Sequence, residues 1–313
     1  MIELYKGLAN TWECDEMGHM NVRFYVNRQV EGVHILAHAI GLPELFTPNG
    51  KSTLIPIDQH IRYIKEVHAG KPLTMVGGVI EIDEDEILLY QELRHTVSGD
   101  PAAAFRTRLR HVEAKTLKRF PWNETTLEKL EALKVTDLPT NTAPRSADLS
   151  SEPLPDSEIS SQIAEDFGAK VIGRCAVPIQ QCDPFGRMGQ EYFMGRISDS
   201  VPNLLNVWRE QVTKDASTEE SPKRTGGAVL ELRMIFRAWP KAGDLMEIRS
   251  GLGEVKPKVH SLVHWVLDPS TGKPWVTAQA YAVTFDLNTR KVIAADPRHM
   301  DMLEQHAARG LRL

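Results

Sequence analysis

The sequence has little of what marks secreted, membrane-spanning and nucleic-acid-binding proteins. It holds three cysteines in 313 residues, which is too few for a disulfide framework and fits a reducing cytoplasm. No apolar run approaches the ~18 residues needed to cross a membrane, and the first residues lack the basic and apolar regions of a signal peptide. The formal net charge is −5, so nothing indicates a general basic surface for nucleic acid. These absences predict a cytoplasmic protein that binds neither membrane nor nucleic acid.

What remains is the composition of an ordinary globular protein. Hydrophobic residues make up 42% of the chain and charged residues 25%, both typical of soluble domains. The length suits two domains of about 130 to 150 residues each. A two-domain soluble protein is therefore expected.

An acidic loop followed by a long helix is the first informative stretch. Residues 12–21 read WECDEMGHMN. The following apolar residues recur at steps of three and four, as on one face of a helix: Val22, Val26, Val30, Val33, Ala37 and Ile40. Gly41 and Pro43 end this helix. Asp15 therefore precedes a helix N-terminus with unpaired N–H groups and partial positive charge, an arrangement suited to acyl chemistry.

The same loop occurs again 168 residues later, where residues 182–190 read CDPFGRMGQ. The helix stripe returns as Met194, Val201, Leu205 and Trp208, with Pro202 inside it, where we predict a kink. Turns further along keep an offset of 173 residues, for example Ser98-Gly99-Asp100-Pro101 and Thr271-Gly272-Lys273-Pro274. A register held over this span indicates an internal duplication.

Each repeat has the predicted order strand, long helix and four antiparallel strands. The first has strands near 3–14, 54–66, 73–82, 86–97 and 102–113 around a helix over 21–40; the second has strands near 170–182, 226–238, 245–256, 259–268 and 275–286. We predict an N-terminal repeat over 1–122, a short helix (125–135) and a Pro/Ser-rich linker within 123–168, and a C-terminal repeat over 169–313. The linker is expected to be partly disordered or to wrap over the surface. We also expect an exposed charged loop over 214–224 and a terminal helix within 298–313.

One helix inside a curved antiparallel sheet resembles the hotdog fold, and two tandem copies resemble a double hotdog of the α+β class. The loop Asp15–Asn21, followed by Phe24 and Tyr25, is similar to the Asp-x-x-Gly-His-x-Asn loop of the 4-hydroxybenzoyl-CoA thioesterase-like superfamily. The resemblance covers both repeats but not the linker or the tail. It implies hydrolysis of an acyl-CoA thioester without cofactor or metal, and pairing of the two repeats within one chain as in a hotdog dimer. Further homo-oligomerisation stays open.

The resemblance also implies roles for the residues of the first loop. Asp15 would act as nucleophile or as general base toward water, and the backbone N–H near Val22 would stabilise the oxyanion. His19 and Asn21 would orient Asp15 or a water, or would close the loop by local hydrogen bonds. Tyr25 is a candidate substrate contact. The alternative for Asp15 is a helix-capping carboxylate.

The second loop departs from the pattern. Asp183 is retained, but Arg187 and Gly189 stand in place of His19 and Asn21, which puts catalysis there in doubt. The donor equivalent to Val22 would be the N–H near Gln190, a candidate substrate-binding residue. Arg187 either binds a ligand phosphate or is a solvated loop residue.

Three other groups have both functional and structural interpretations. His34 and His38 have a metal-binding spacing on the helix but no evident third ligand, so we favour structural histidines. Cys14 lies beside Asp15, which raises the pKa of a thiol, and we favour a small buried residue over a nucleophile. Arg106, Arg108 and Arg110 alternate along one strand, either to meet coenzyme A phosphates or as a solvated edge.

Three rival functions exist on this fold. An acyl-ACP thioesterase is the nearest, and it would need a basic docking face for its carrier. A hydratase is disfavoured because Asp15 and His19 lie one position too close for the hydratase pair. A non-catalytic acyl-CoA sensor usually carries a DNA-binding segment, for which the residues before Trp12 leave no room.

Overall fold

The computed structural model describes residues 1–215, 225–286, 288–289, 291–295, 297–305 and 307–313. The chain forms two compact units. The first contains residues 1–144 and 178–195, and the second contains 145–177 and 196–313. The repeat boundaries at 122 and 168 describe the sequence duplication and stay a prediction. Most of the predicted charged loop, residues 216–224, lies outside the described residues.

The first unit is a five-stranded antiparallel sheet with a long helix. In chain order its elements are β1 (Ile2–Leu8), α1 (Val22–Ala39), β2 (Ser52–Tyr63), β3 (Pro72–Ile82), β4 (Glu86–His95), β5 (Pro101–Glu113) and α2 (Glu124–Ala132). The strand order within the unit is β1-β3-β4-β5-β2. Helix α1 lies against β1, β3 and β4, and α2 lies against β3. The predicted helix and four of the predicted strands are confirmed within a few residues.

The first predicted strand is too long at its C-terminal end. The strand ends at Leu8, and Thr11–Glu13 forms a 3₁₀ turn. The turn is stabilised because the Glu13 carboxylate accepts the N–H of Asn10 at 2.8 Å. A capping pair of this kind favours a helical turn over continued strand pairing.

The second unit repeats this order. Its elements are α3 (Ser161–Asp166), β6 (Lys170–Ala176), the later part of α4 (Gln190–Asp215), β7 (Thr225–Phe236), β8 (Leu245–Val255), β9 (His260–Leu267), β10 (Pro274–Asp286) and α5 (Pro297–Gln305). The strand order is β7-β10-β9-β8-β6, so the two units share one topology. Pro202 lies inside α4 as expected, and the kink there stays a prediction. The predicted terminal helix is confirmed as α5.

The predicted linker is held against each unit by polar contacts. In the first unit Thr142 is fully buried, and its carbonyl accepts from Arg106 Nη1 at 2.9 Å. In the second unit the N–H of Ser146 donates to Glu231 at 2.6 Å. These bonds satisfy backbone groups that regular structure leaves without partners.

The core of the first unit contains hydrogen-bonded amides. Gln29 on α1 donates to Gln91 on β4 at 2.8 Å. Gln59 on β2 donates to Gln29 at 3.2 Å and to Thr107 at 3.1 Å. All four side chains are fully buried. Gln190, at the start of α4, also donates to the side-chain oxygen Oε1 of Gln29. We call these five residues the amide cluster.

The second repeat has no such amides at the equivalent positions. By the sequence offsets, Gln29, Gln59 and Thr107 correspond to Ile197, Leu232 and Ala280, and Gln91 corresponds to His264. All four of these replacements are buried. The two repeats therefore share a backbone topology but differ in core chemistry.

Among the helices that the structure describes, none has the length and apolarity that a membrane crossing requires.

Candidate active site

The first loop is a tight turn closed by its own backbone. The Asp15 N–H donates to the His19 carbonyl at 2.8 Å, and the Gly18 N–H donates to the Asp15 carbonyl at 3.0 Å. Gly18 adopts φ +78°, a conformation that costs glycine little and other residues more. The loop then enters α1 at Asn21, whose side chain caps the helix by accepting the Arg23 N–H at 3.0 Å.

The second loop has the same backbone pattern. Asp183 N–H donates to the Arg187 carbonyl at 2.6 Å, and Gly186 N–H donates to the Asp183 carbonyl at 2.9 Å. Gly186 has φ +80°. Each loop is also closed by a bridge, Cys14 with Met20 and Cys182 with Met188. Both loops belong to the first unit.

The Asp15 carboxylate is half-buried and its two oxygens differ in environment. Oδ1 accepts the N–H of Met17 at 2.9 Å and of His19 at 3.1 Å. Oδ2 has no hydrogen-bond partner among the residues that the structure describes. Two backbone donors therefore fix the orientation of the carboxylate, and one oxygen is left to meet a substrate or a water.

Asp183 is held by backbone donors in the same way, but its second oxygen is engaged. Oδ1 accepts the N–H of Phe185 at 2.8 Å and of Arg187 at 3.0 Å. Oδ2 accepts from Arg187 Nε at 3.0 Å and from Nη2 at 2.9 Å. The Arg187 side chain is only 6% exposed and lies over the Phe185 ring. Arg187 is thus not a solvated loop residue, and its binding of a ligand phosphate stays a prediction.

The helix N-termini supply the candidate oxyanion donors. Val22 is the first residue of α1 and Gln190 the first of α4, and N–H groups at these positions have no acceptor within their own helix. The Asn21 side chain accepts the N–H of Arg23, the residue after Val22, so it does not occupy the Val22 N–H. Gly189 replaces Asn21 in the second loop and offers no side-chain cap. The Gln190 side chain is buried in the amide cluster.

Tyr25, the predicted substrate contact, is buried on α1. It is 5% exposed, and its ring meets that of Tyr63 edge to face at 5.3 Å between centroids. Burial raises the pKa of the Tyr25 hydroxyl, so this group is neutral in the folded protein.

A buried ion pair beneath the first loop was not predicted. Glu13 and Arg28 are 5% and 7% exposed and bond to each other. Glu13 immediately precedes the loop and Arg28 lies on α1, so the pair links the loop to the helix. The only sequence signal was the spacing of Asn10 and Glu13, which matches a capping box.

A second group that sequence reasoning missed surrounds the His19 side chain. His19 Nε2 lies 3.3 Å from Glu66 Oε2, and the His19 and His68 rings meet edge to face at 4.8 Å between centroids. Glu66 and His68 belong to the turn between β2 and β3. They also line an open cleft of about 590 Å³, together with Lys65, Gly70, Lys71, Pro72, His95, Val97 and Ser98.

The remaining candidates have structural roles. Burial and the neighbouring charges of Asp15 and Glu13 raise the pKa of the Cys14 thiol, which keeps it protonated. The His34 ring stacks on Phe46 at 4.0 Å, and burial and nearby His38 lower its pKa.

The arginines on β5 do not form a solvated edge, because β5 lies between β4 and β2. Arg108 pairs with Glu81, and Arg110 Nη2 lies 2.7 Å from Glu86 Oε1.

Comparison with known proteins identifies the family. A family model described as the thioesterase-like superfamily matches residues 9–130 and 177–303. A search of curated protein sequences finds no significant match.

Three solved structures have a similar fold over most of the chain. One is provisionally described as an oleoyl thioesterase from Lactobacillus plantarum; it has a TM-score of 0.65 and 10% identity, over 89% of this chain and 94% of that one. The 12:0-ACP thioesterase from Umbellularia californica also has a TM-score of 0.65, with 8% identity over 89% and 92%. An acyl-ACP thioesterase from Bacteroides thetaiotaomicron has a TM-score of 0.59, with 11% identity over 89% and 96%.

The family match covers both repeats, and each repeat has the long helix and antiparallel sheet of a hotdog. The chain is therefore a double-hotdog member of the thioesterase-like superfamily and a thioester hydrolase.

Proposed function

We propose that the protein hydrolyses acyl-CoA thioesters and that Asp15 is the catalytic carboxylate. The observation that carries the proposal is the asymmetry of the Asp15 carboxylate. Met17 and His19 N–H groups hold Oδ1, and Oδ2 has no hydrogen-bond partner among the described residues. A carboxylate fixed in orientation but open at one oxygen is suited to attack or to proton abstraction.

The chemistry needs only this carboxylate and a hydrogen-bond donor. As a nucleophile, Asp15 attacks the thioester carbonyl carbon, the C–S bond breaks, and water hydrolyses the resulting anhydride. As a general base, it takes a proton from the water that attacks instead. In both routes the Val22 N–H stabilises the negative charge on the carbonyl oxygen. The coenzyme A thiolate is a good leaving group, so the reaction requires no strong acid.

In this proposal the second loop is not a second catalyst. Arg187 occupies the Asp183 oxygen that corresponds to the open oxygen of Asp15. The resulting ion pair neutralises the carboxylate and blocks its approach to a carbonyl carbon. Asp183 and Arg187 then serve to hold the loop and the start of α4 in place.

The proposal is tested with a panel of short, long and aromatic acyl-CoAs in the presence of a chelator. We expect release of the coenzyme A thiol, detected with a thiol reagent, from at least one class of substrate. The proposal fails if no acyl-CoA is hydrolysed. It also fails if hydrolysis disappears with the chelator and returns with zinc.

An acyl-ACP thioesterase is the second candidate. Two of the similar full-length structures are named as acyl-ACP or 12:0-ACP thioesterases. In addition, Lys71 lines the cleft near the first loop, and a lysine at this position suits an acidic carrier protein. Measuring kcat/KM for one acyl chain on both carriers separates the candidates. A clear preference for acyl-ACP would replace acyl-CoA in the proposal and leave the role of Asp15 unchanged.

A further inference from the structure

Two histidines and a glutamate converge beside the first loop. His19 and His68 form an antiparallel bridge, and the Met20 N–H donates to the Val67 carbonyl at 2.8 Å. In extended segments alternate side chains share a face, and residues opposite each other across the pair are close. Glu66 and His68 therefore present their side chains on the same face as His19.

The distances suit a tetrahedral metal ion. One candidate ligand atom from each of the three residues lies within 4.8 Å of the other two. His19 Nε2 and Glu66 Oε2 are 3.3 Å apart. Zinc bonds of about 2.0–2.1 Å in a tetrahedral site place neighbouring ligand atoms about 3.4 Å apart. Glu66 and His68 are exposed, so small rotamer changes are enough to bring the third ligand atom in.

The second nitrogen of His68 has the partner that a metal ligand needs. Its Nδ1 lies 3.3 Å from the Gly18 carbonyl oxygen. When Nδ1 carries the ring proton and donates it to this carbonyl, Nε2 is unprotonated and its lone pair is available to bind a metal ion. Histidines that bind metals usually donate their other ring N–H to a carbonyl or carboxylate, which fixes the tautomer and the ring orientation.

We propose that His19, Glu66 and His68 bind one divalent transition-metal ion of the zinc class. Two imidazoles and one carboxylate are typical zinc ligands and leave a fourth position for water. The cleft lined by Glu66 and His68 gives the ion a path of entry from solvent, which a reversible site requires.

Metal binding would act on the first loop through His19. The backbone N–H of His19 is one of the two donors to Asp15 Oδ1. The imidazole ring of His19 would exchange its contact with Glu66 for a bond to the metal. The proposed metal site therefore adjoins the loop that carries Asp15, but metal binding itself does not depend on the proposed function.

The test is a titration of the full chain with Co²⁺, a spectroscopic substitute for zinc. We expect one molar equivalent to give the visible absorption of four- or five-coordinate cobalt, and zinc to displace it. H68A should abolish the absorption. E66Q should weaken affinity by about tenfold or more. H38A is the matched control, because His38 is an exposed histidine outside the cluster, and it should bind like the wild type.

Each alternative outcome is decisive. No cobalt absorption with the wild type would overturn the proposal. Loss of absorption in H38A with retention in H68A would also overturn it, because the metal would then occupy the His34–His38 pair. Urea unfolding of H68A without metal should match the wild type, which separates ligand loss from misfolding. Cobalt binding without any thioester hydrolysis would support the metal site and refute only the proposed function.

Discussion

The two loops have nearly the same backbone but different charge environments. In each, an aspartate accepts two N–H groups of its own loop through Oδ1. In the first loop Oδ2 has no partner among the described residues, whereas in the second Arg187 binds it through two nitrogens. The comparison teaches that this backbone serves equally well to present a carboxylate or to neutralise one. The residue four positions after the aspartate decides between the two.

The largest effect should come from removing the charge of one aspartate. Asp15→Asn keeps the shape and the two backbone hydrogen bonds but removes the nucleophile or base. We expect kcat to fall by about 10² or more. Asp183→Asn is the matched control and should lower kcat much less. Equal losses would mean two working sites, and a large loss only for Asp183→Asn would reverse the assignment.

Alanine substitutions at the same two positions should differ in how much they lower the free energy of unfolding. Asp183→Ala leaves the buried guanidinium of Arg187 without its partner, so we expect a loss of about 2–3 kcal/mol in the free energy of unfolding. Asp15→Ala loses only the loop hydrogen bonds, at about 1 kcal/mol. Urea unfolding measures both. Equal losses would show that the Asp183–Arg187 pair contributes no more than the loop bonds do.

Transferring the second loop's arginine to the first should reduce catalysis. His19→Arg places a guanidinium four residues after Asp15, as Arg187 follows Asp183. We expect kcat on the order of tenfold below that of His19→Gln, the control that removes the imidazole without adding charge. If the two variants have the same kcat, the charge partner is not what distinguishes the loops.

The smallest expected effect is a pH dependence of the free energy of unfolding, caused by one buried histidine in each unit. Burial lowers the pKa of His111 and of His264 to about 4. Unfolded histidine binds a proton below its ordinary pKa of 6.5, so stability should fall as pH drops from about 6.5 toward 4. Each histidine should cost about 1 kcal/mol at pH 5.5 relative to pH 7.

The variants His111→Gln and His264→Gln isolate the two contributions. Each should remove its own share of the pH dependence, measured by urea unfolding at pH 7 and pH 5.5. His264→Gln also gives the second repeat a glutamine at the position that corresponds to Gln91 of the first repeat. A pH dependence that both variants retain would show that other groups cause it.

The element order and the duplication were predictable from sequence because their signals are local. Helix α1 follows from the spacing of its apolar residues, and the hairpins follow from turn residues repeated at one offset. The amide cluster was not predictable, because Gln29 and Gln59 look like solvent-facing positions when only their sequence neighbours are considered. Their burial depends on partners from other strands and from α4.

The candidate site was predictable to the same limited extent. The loop pattern places Asp15, Asn21 and Val22 beside a helix N-terminus, where the structure has them. The contact of Arg187 with Asp183 depends on side-chain conformation, and the contacts of Glu66 and His68 with the loop depend on long-range folding. The solvated edge considered for Arg106, Arg108 and Arg110 was wrong because alternation along a strand does not reveal its place in the sheet.

The membership of residues 178–195 in the first unit has a consequence for how this gene can evolve. A fission of the gene within the linker would encode the second loop on a different polypeptide from α1 and β2. Gln29 would then lose the donor from Gln190 until the two products met. A chain split within the linker would therefore keep this buried hydrogen bond only if its two products associated.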